Sequence, residues 1–383
     1  MIPYGRQSIS QADIDAVVEV LKSDFLTQGP AIPRFEASAA TYFGASHAVA
    51  VNSATAALHA ACLALDVGPG DLVWTSPITY VASANCALYC GAEVDFIDID
   101  PRTYCLSVER LAAKLERAEV AGRLPKVVIP VHLAGQSCDM VGIQELSRRY
   151  GFRTVEDASH AVGASYRGGP VGDCRFSDIA VFSFHPVKII TTGEGGMALT
   201  NDAELARRME LYRTHGVTRD AAEFERPVDG GWHYEQQALG FNYRMTDLAA
   251  ALGSSQLQRL EQFVAQRRAL AARYHELFGN DPLQRPWQHS DTQSSWHLYV
   301  IRVDADIHRA AFDGLRKRGI GVNLHYIPVY LQPFYRRRGF EPGLCPGAEA
   351  YGREAITLPL YPGLSDAEQE QVVAGVKEVL GCG

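Results

Sequence analysis

The chain has 383 residues, of which 47% are hydrophobic and 21% charged, so it can bury a large core. Its formal charge of -8 at pH 7, with no basic stripe to offset it, argues against nucleic acid as a partner. No apolar run reaches the ~18 residues of a membrane span, and the first residues lack a signal-peptide core. We therefore expect a cytoplasmic protein with no membrane partner.

The first two-thirds of the chain predict alternating strands and helices. Two amphipathic helices come first, over residues 11–22 with Ser10 as N-cap and from Ile32 to Phe43. The predicted strands that follow are residues 48–51, 72–75, 93–97, 126–131, 153–156, 179–183 and 197–200, with helices at 54–65, 80–90 and 140–150. This alternation predicts an α/β fold with a mostly parallel sheet and ligands at the carboxyl ends of its strands.

The pattern changes after residue 245. A long helix over residues 246–278 is followed by a strand at 296–303, a helix at 307–319, a proline-bearing loop at 325–333 and a last helix from Ser365. We predict a large domain over residues 1–245 and a smaller C-terminal α/β domain over residues 246–383.

The eight cysteines show neither disulfide-like nor CxxC spacing. Cys86 and Cys90 lie four residues apart in a predicted helix, whereas a zinc site would need two such pairs. Buried reduced thiols are favoured, and no metal site is predicted.

One lysine stands between an apolar strand and a glycine-rich turn. Lys188 follows the run that ends at Ser183 and precedes Gly193, Gly195 and Gly196. A lone lysine is usually a surface residue, but here a hydroxyl and flexible backbone lie close in sequence. Burial near a positively charged ligand would lower its pKa and let it act as a general base.

Asp157 ends another predicted strand, and His160 follows three residues later. An aspartate in this position is often only a helix N-cap, and that alternative stays open. The functional alternative is an ion pair with a protonated pyridine nitrogen. An acid and a lysine at strand ends of one sheet are what pyridoxal 5'-phosphate (PLP) requires, since the lysine bonds the aldehyde and the acid keeps the ring protonated.

Two further segments fit a PLP site. Residues 52–57 join a strand to a helix through small residues and hydroxyls, and such a helix start can bind phosphate, although this signal is weak alone. Tyr80 could stack on a flat ring, while a core tyrosine is the simpler interpretation.

Four motifs in order, NSATAALH, VEDASHA, SFHPVKIITTGEGG and LGFNYRMTD, resemble the DegT/DnrJ/EryC1/StrS family of sugar aminotransferases. The resemblance implies a PLP-dependent transferase of fold type I, acting on nucleotide-linked 4-keto sugars. The opening residues 2–30 and the segment 323–335 are similar to one branch, the UDP-4-amino-4,6-dideoxy-N-acetyl-β-L-altrosamine transaminases of pseudaminic acid biosynthesis.

The resemblance also implies residue roles. Lys188 would bond the cofactor, Asp157 would pair with its ring nitrogen, and Tyr80 and His160 would flank the ring. Asn242 would reach the phosphate in a neighbouring subunit, which implies a homodimer with shared sites. The phosphate would be held by Ala54, Thr55, Ala56 and Ser183, and the nucleotide sugar would face Tyr4, Asp24, Phe25, Leu26, Thr27, Asn323, Leu324, His325 and Tyr326.

The reaction implied is transfer of an amino group from L-glutamate to C4 of a UDP-linked 4-keto-6-deoxy-N-acetylhexosamine, for pseudaminic acid and flagellin glycosylation. Two departures from the family pattern are Tyr330, where relatives commonly have histidine, and the pair Ile189-Ile190 after the lysine. The alternatives are a dTDP- or GDP-sugar aminotransferase, a PLP-dependent sugar dehydratase or lyase, and a PLP-binding regulatory protein. A related dehydratase branch has histidine in place of the lysine, so Lys188 favours transamination.

Overall fold

The computed structural model describes residues 1–382, and its fold is α/β, as predicted. The strands are β1 (His47–Val51), β2 (Leu72–Thr75), β3 (Glu93–Phe96), β4 (Val127–Ile129), β5 (Arg153–Asp157), β6 (Ser165–Tyr166), β7 (Gly169–Pro170), β8 (Ile179–Ser183), β9 (Gly196–Thr200), β10 (Val217–Thr218), β11 (Glu235–Gln236), β12 (Thr292–Gln293), β13 (Tyr299–Arg302) and β14 (Ala355–Leu358). The helices are α1 (Gln11–Leu21), α2 (Ala31–Phe43), α3 (Ala54–Ala64), α4 (Ala82–Tyr89), α5 (Val108–Val120), α6 (Met140–Tyr150), α7 (Ala203–Arg213), α8 (Asp247–Leu257), α9 (Leu260–Phe278), α10 (Ala305–Lys317), α11 (Pro333–Arg336), α12 (Pro346–Glu354) and α13 (Asp366–Val379).

A seven-stranded sheet in the order β1-β9-β8-β5-β4-β2-β3 forms the centre of the molecule. Its strands are parallel except β9, which runs antiparallel to both β8 and β1. Central strands such as β4 and β8 are buried at every residue, which is typical of a sheet covered on both faces. The sheet is therefore mostly parallel, as predicted.

Two core clusters flank this sheet. One contains buried side chains of α3, α4, α5 and α6, including Leu58 and Leu111. The other contains residues of α2, β8, β9, α8 and the first half of α9, including Phe35, Phe182 and Val264. Helices α8 and early α9 therefore pack with the large sheet although they follow residue 245.

A third cluster lies in the C-terminal part. It joins Ile2 to residues between Ala271 and Val376, around the antiparallel pair β13–β14 with α10 and α13. The division at residue 245 stays a prediction, and the last residue of its second part, Gly383, lies outside the described residues.

The helix boundaries follow capping residues, and several differ from the predicted ones. Ser10 forms the predicted N-cap of α1, in a capping box with Asp13. The single helix predicted over residues 246–278 is wrong: α8 ends at Leu257 and α9 begins at Leu260. Between them, Arg259 takes a non-helical conformation and its side chain donates to the Ser8 carbonyl, so a tertiary contact accompanies the break. Helices α5 and α7 were not predicted, although Ser107 and Asp202 cap them.

No helix within residues 1–382 is long and apolar enough to cross a bilayer. The eight cysteines are all free, and six of them are buried.

We expect Gly196→Ala to destabilise the protein, because a methyl group there would lie 2.4 Å from the backbone nitrogen of Ala54, at the start of α3. The strand and the helix start would have to separate, at a cost of about 1–3 kcal/mol. Thermal unfolding of the variant measures this. Gly68→Ala is the matched control, because no atom lies within 4 Å of its added methyl group. Equal unfolding temperatures for both variants would refute the close approach of β9 to α3.

Candidate active site

A cavity of about 700 Å³ opens at the carboxyl ends of β5 and β8. Its wall brings together most of the predicted site residues: Tyr4, Ala54, Thr55, Tyr80, Asp157, His160, Ser183, Lys188, Asn323, Leu324, His325 and Tyr326. These residues come from six separate stretches of sequence, so the fold and not the local chain assembles the site.

Lys188 lies in a tight turn after β8, where its backbone N–H donates to the His185 carbonyl. The residue keeps a small exposed surface toward the cavity, while its amine is surrounded by protein atoms. Burial lowers the pKa of the Lys188 amine to about 8, and the nearby Asp157 carboxylate opposes this shift. A fraction of the amine is therefore unprotonated near neutral pH.

Asp157 is the last residue of β5 and is buried. It pairs with Val181 on the parallel strand β8, two residues before Ser183. One carboxylate oxygen accepts a 2.6 Å hydrogen bond from the Ser83 hydroxyl, and the other accepts the Ser159 N–H at 3.1 Å. These two donors hold the carboxylate at the strand end with its charge compensated in part.

Hydrogen-bond donors meet where α3 begins. Ser53 caps α3 by accepting the Ala56 N–H, whereas the N–H groups of Ala54 and Thr55 have no partner among the described residues. Ser183 pairs with Gly196, and Gly196 in turn touches the backbone of Ala54. Free N–H groups at a helix start, next to hydroxyls, suit a phosphate group.

His160 is buried and held by three segments. Its Nδ1 accepts the Ala134 N–H at 3.3 Å, so Nε2 carries the proton of the neutral ring and lies 3.2 Å from the Tyr326 hydroxyl. The His297 ring packs 4.4 Å away, centroid to centroid. Burial, followed by the charge of Lys188, holds the pKa of His160 well below its ordinary value. The imidazole is therefore neutral.

The segment Asn323–Tyr326 forms another part of the cavity wall. His325 lies 2.9 Å from the Thr357 hydroxyl, and its ring packs 5.3 Å from that of Tyr4. Burial, together with Lys188, lowers the pKa of His325 to about 3. Tyr80 is 63% exposed beside the cavity, with its ring 6.5 Å from that of Tyr326.

Six predicted residues lie outside this wall. Ala56 does not line the cavity, and its N–H donates to the Ser53 side chain that caps α3. Asn242 lies against Thr214 and Asn52, with an exposed side chain. The others form an exposed loop before α2: Asp24, Phe25, Leu26 and Thr27. Their roles stay predictions, and the role predicted for Asn242 concerns a neighbouring subunit.

The two departures from the family pattern lie in packed regions. Tyr330 is fully buried against Phe96, 5.6 Å between ring centroids, and its hydroxyl donates to Glu349 at 2.6 Å. Ile189 and Ile190 are buried in the second core cluster. Neither departure changes the cavity wall.

Sequence reasoning missed two cavity-region side chains. Ser83, on α4, holds the Asp157 carboxylate, and His297 borders the cavity just before β13. Both stand in stretches without a motif, and only the tertiary fold brings them to the site. The buried Nδ1 of His297 has no hydrogen-bond partner among residues 1–382.

This donor set fits PLP. An amine, a carboxylate for the ring nitrogen, and free N–H groups with hydroxyls for the phosphate lie around one cavity. The fold and the cavity together define a PLP-dependent enzyme of fold type I, as predicted.

Comparison with known proteins gives the family. Residues 7–377 match the DegT/DnrJ/EryC1/StrS aminotransferase family. The spore coat polysaccharide biosynthesis protein SpsC of Bacillus subtilis is 39% identical over 386 residues, covering 99% of this chain and 97% of SpsC. The chain belongs to this family and is a PLP-dependent sugar aminotransferase, which uses an amino donor and a keto sugar.

Two solved structures are similar over essentially the whole chain. One is a putative sugar aminotransferase from Streptococcus pneumoniae in its PMP form, with a TM-score of 0.91 and 31% identity, covering 100% of this chain and 99% of that one. The other is Helicobacter pylori PseC, an aminotransferase involved in the biosynthesis of pseudaminic acid, with a TM-score of 0.91, 29% identity and 99% coverage of both chains.

We expect the cofactor-free protein to capture PLP with a rate that rises with pH through a midpoint near pH 8, because only the unprotonated Lys188 amine reacts. Stopped-flow absorbance from neutral to alkaline pH measures this rate. Asp157→Asn is the control: the carboxylate raises the lysine pKa, so its removal should move the midpoint to lower pH. A midpoint near the ordinary lysine value of 10.5 would contradict burial of the amine.

Asp157→Asn should retain bound PLP but slow the half-reaction with the amino donor by about 10²–10³-fold, because a neutral amide does not keep the ring nitrogen protonated. Single-turnover absorbance measures this step. Asp202→Asn changes a true helix cap and should keep the rate, since asparagine also caps helices. Equal rates in the two variants would mean that Asp157 acts only as a local cap.

Proposed function

We propose that this sugar aminotransferase moves the amino group of L-glutamate to C4 of a UDP-linked 4-keto-6-deoxy-N-acetylhexosamine. The product would be UDP-4-amino-4,6-dideoxy-N-acetyl-β-L-altrosamine, a precursor for pseudaminic acid and flagellin glycosylation. The observation that carries this choice is the whole-length structural similarity to PseC, whose described role is in pseudaminic acid biosynthesis.

The cavity supports the proposal through its substrate-facing wall. The segment Asn323–Tyr326, which resembles the same branch in sequence, borders the same cavity as Lys188. Tyr330, the position that departs from the family pattern, is buried in the core. The departure therefore gives no reason to assign a different sugar. SpsC, at 39% identity, is described as a spore coat polysaccharide biosynthesis protein, so another nucleotide sugar is the alternative substrate.

PLP, when bound, supplies an aldehyde that bonds amines and a ring that withdraws electrons from the substrate carbon. Lys188, with a pKa of about 8, would accept the proton from the carbon that bears the donor's amino group, and in the second half-reaction it would give a proton to C4 of the sugar. Asp157, hydrogen-bonded to Ser83 and Ser159, would keep the ring nitrogen protonated.

The neutral histidines complete this arrangement. His160 and His325 both have pKa values lowered chiefly by burial, so neither adds a positive charge beside Lys188. A charged imidazole there would lower the lysine pKa further and weaken its ability to accept a proton. The Tyr326 hydroxyl, next to His160, links the sugar-facing segment to the ring site.

Asn242 and the loop Asp24–Thr27 lie outside the cavity of their own chain, which supports a homodimer in which each subunit completes the other's site. We include this dimer, and a cytoplasmic location, in the proposal. The exposed side chain of Asn242 would then contact the cofactor phosphate of the second subunit.

We expect L-glutamate alone to remove the visible absorbance band of the PLP form and produce that of the PMP form. A UDP-4-keto-6-deoxy-N-acetylhexosamine should reverse the change, and the matching dTDP sugar should do so at least tenfold more slowly. Absorbance spectra of the holoenzyme measure both steps. An unchanged band with glutamate, or ammonia release without an aminated sugar, would contradict the proposed reaction. Equal recovery with the dTDP sugar would contradict the proposed nucleotide.

A further inference from the structure

Two segments that lie outside the cavity are joined to each other. Thr27 of the loop 24–29 pairs antiparallel with Thr246, and the Asp247 N–H donates to the Leu26 carbonyl at 3.0 Å. The loop is exposed, with Phe25 53% and Leu26 46% accessible. We call residues 24–29 and 242–246 together the paired segments.

The buried side chain of Asp247 stabilises this pairing. Its side chain is 1% exposed, and its two carboxylate oxygens accept the N–H groups of Gly29 at 2.8 Å and Ala31 at 2.9 Å. Asp247 thus bonds the loop through both its backbone and its side chain. It is also the first residue of α8, which Thr246 caps. An asparagine could accept only one of these two N–H groups, because its amide nitrogen is a donor.

The loop leaves no spare room at this contact. A methyl group on Gly29 would lie 2.4 Å from the Phe25 Cβ and 2.9 Å from an Asp247 oxygen. The loop is therefore anchored closely to α8 although it buries little of its own apolar surface. An exposed loop held this firmly, with Phe25 and Leu26 uncovered, is suited to packing against another molecule.

The geometry points to Asp247 as a positioning residue that holds the paired segments as one rigid unit, which completes the active site of a second copy of this chain. This inference rests on the proposed homodimer with shared sites. Asn242 and the loop lie outside their own cavity, so a shared site needs both segments delivered together. Asp247 bonds the loop and directly follows residues 242–246 in the chain, and it does not line the cavity of its own chain.

The test is complementation between subunits. The Lys188→Ala homodimer should be inactive, and the Asp247→Asn homodimer should bind PLP about tenfold more weakly, because one buried N–H loses its acceptor. A mixed dimer of one Lys188→Ala subunit and one Asp247→Asn subunit is obtained by co-expression with two different tags. One of its two sites combines the intact Lys188 of the Asp247→Asn subunit with the intact paired segments of the Lys188→Ala subunit. That site should recover PLP retention and about half of the wild-type turnover per dimer. PLP bound at Lys188, fixed by borohydride reduction and counted by mass spectrometry, gives a readout besides activity.

Asn242→Ala mixed with Lys188→Ala separates this inference from the proposed shared site. If that pair complements and the Asp247→Asn pair does not, the role of Asp247 is overturned while the shared site stands. If neither pair complements in dimers confirmed by native mass, the shared site fails, and the inference fails with it.

Asp13→Asn is the matched structural control. Asp13 is also fully buried and bonds α8 and its end through Ser255 and Gln256, but it holds α1 and not the loop. It should lower the unfolding temperature and leave PLP affinity unchanged; an equal loss of PLP in both variants would reduce Asp247 to a stability effect and overturn the inference. If Asp247→Asn does not fold, Gly29→Ala disturbs the same contact and should show the same complementation; its absence would equally overturn the inference.

Discussion

The site depends on two opposing effects on the pKa of Lys188, its burial and the nearby charge of Asp157, near the ends of two neighbouring parallel strands. Burial alone lowers the pKa of Lys188, and the carboxylate of Asp157 limits that shift, so the amine titrates near pH 8. Asp157 is placed by the β5–β8 ladder, in which it faces Val181, whereas Lys188 lies in the tight turn after β8, closed by its N–H to the His185 carbonyl. The acid is therefore fixed by the central sheet, and the amine by a hydrogen-bonded turn that leads out of the neighbouring strand.

The histidines of the cavity wall are neutral, which is consistent with this arrangement. The rings of His160, His297 and His325 line the same cavity as the lysine, and burial is the first cause of the lowered pKa of each. Neutral imidazoles give hydrogen-bond donors and acceptors without adding positive charge. The Asp157 carboxylate can therefore act on the lysine and the ring without competition from nearby histidine cations.

The sequence predicts those site residues whose positions follow from a local sequence pattern. Asp157 stands at the end of one strand and Lys188 shortly after the end of its neighbour, and strand ends of a parallel sheet meet at one edge, so their convergence was predictable. Ser83 and His297 lie in stretches without a motif, and only tertiary packing brings them to the site. The break between α8 and α9 has no glycine or proline, and at this break Arg259 contacts the Ser8 carbonyl and Asp13, far away in the sequence. Tyr330 was recognisable as a departure, yet its burial against Phe96 depends on the fold.

The paired segments would make ligand binding depend on dimer formation. If a partner must supply Asn242 and the loop 24–29, the complete phosphate and sugar sites exist only in the dimer. Ligands that contact both subunits then bind the dimer in preference to the monomer, and by linkage they stabilise the assembly by the same free energy. Asp247 can strengthen this coupling without contacting a ligand. Its hydrogen bonds already restrict the loop in the free subunit, so the loop loses less conformational entropy when it docks on the partner. The buried aspartate at the start of α8 is in this view part of the site's preorganisation, although it lies outside the cavity of its own chain.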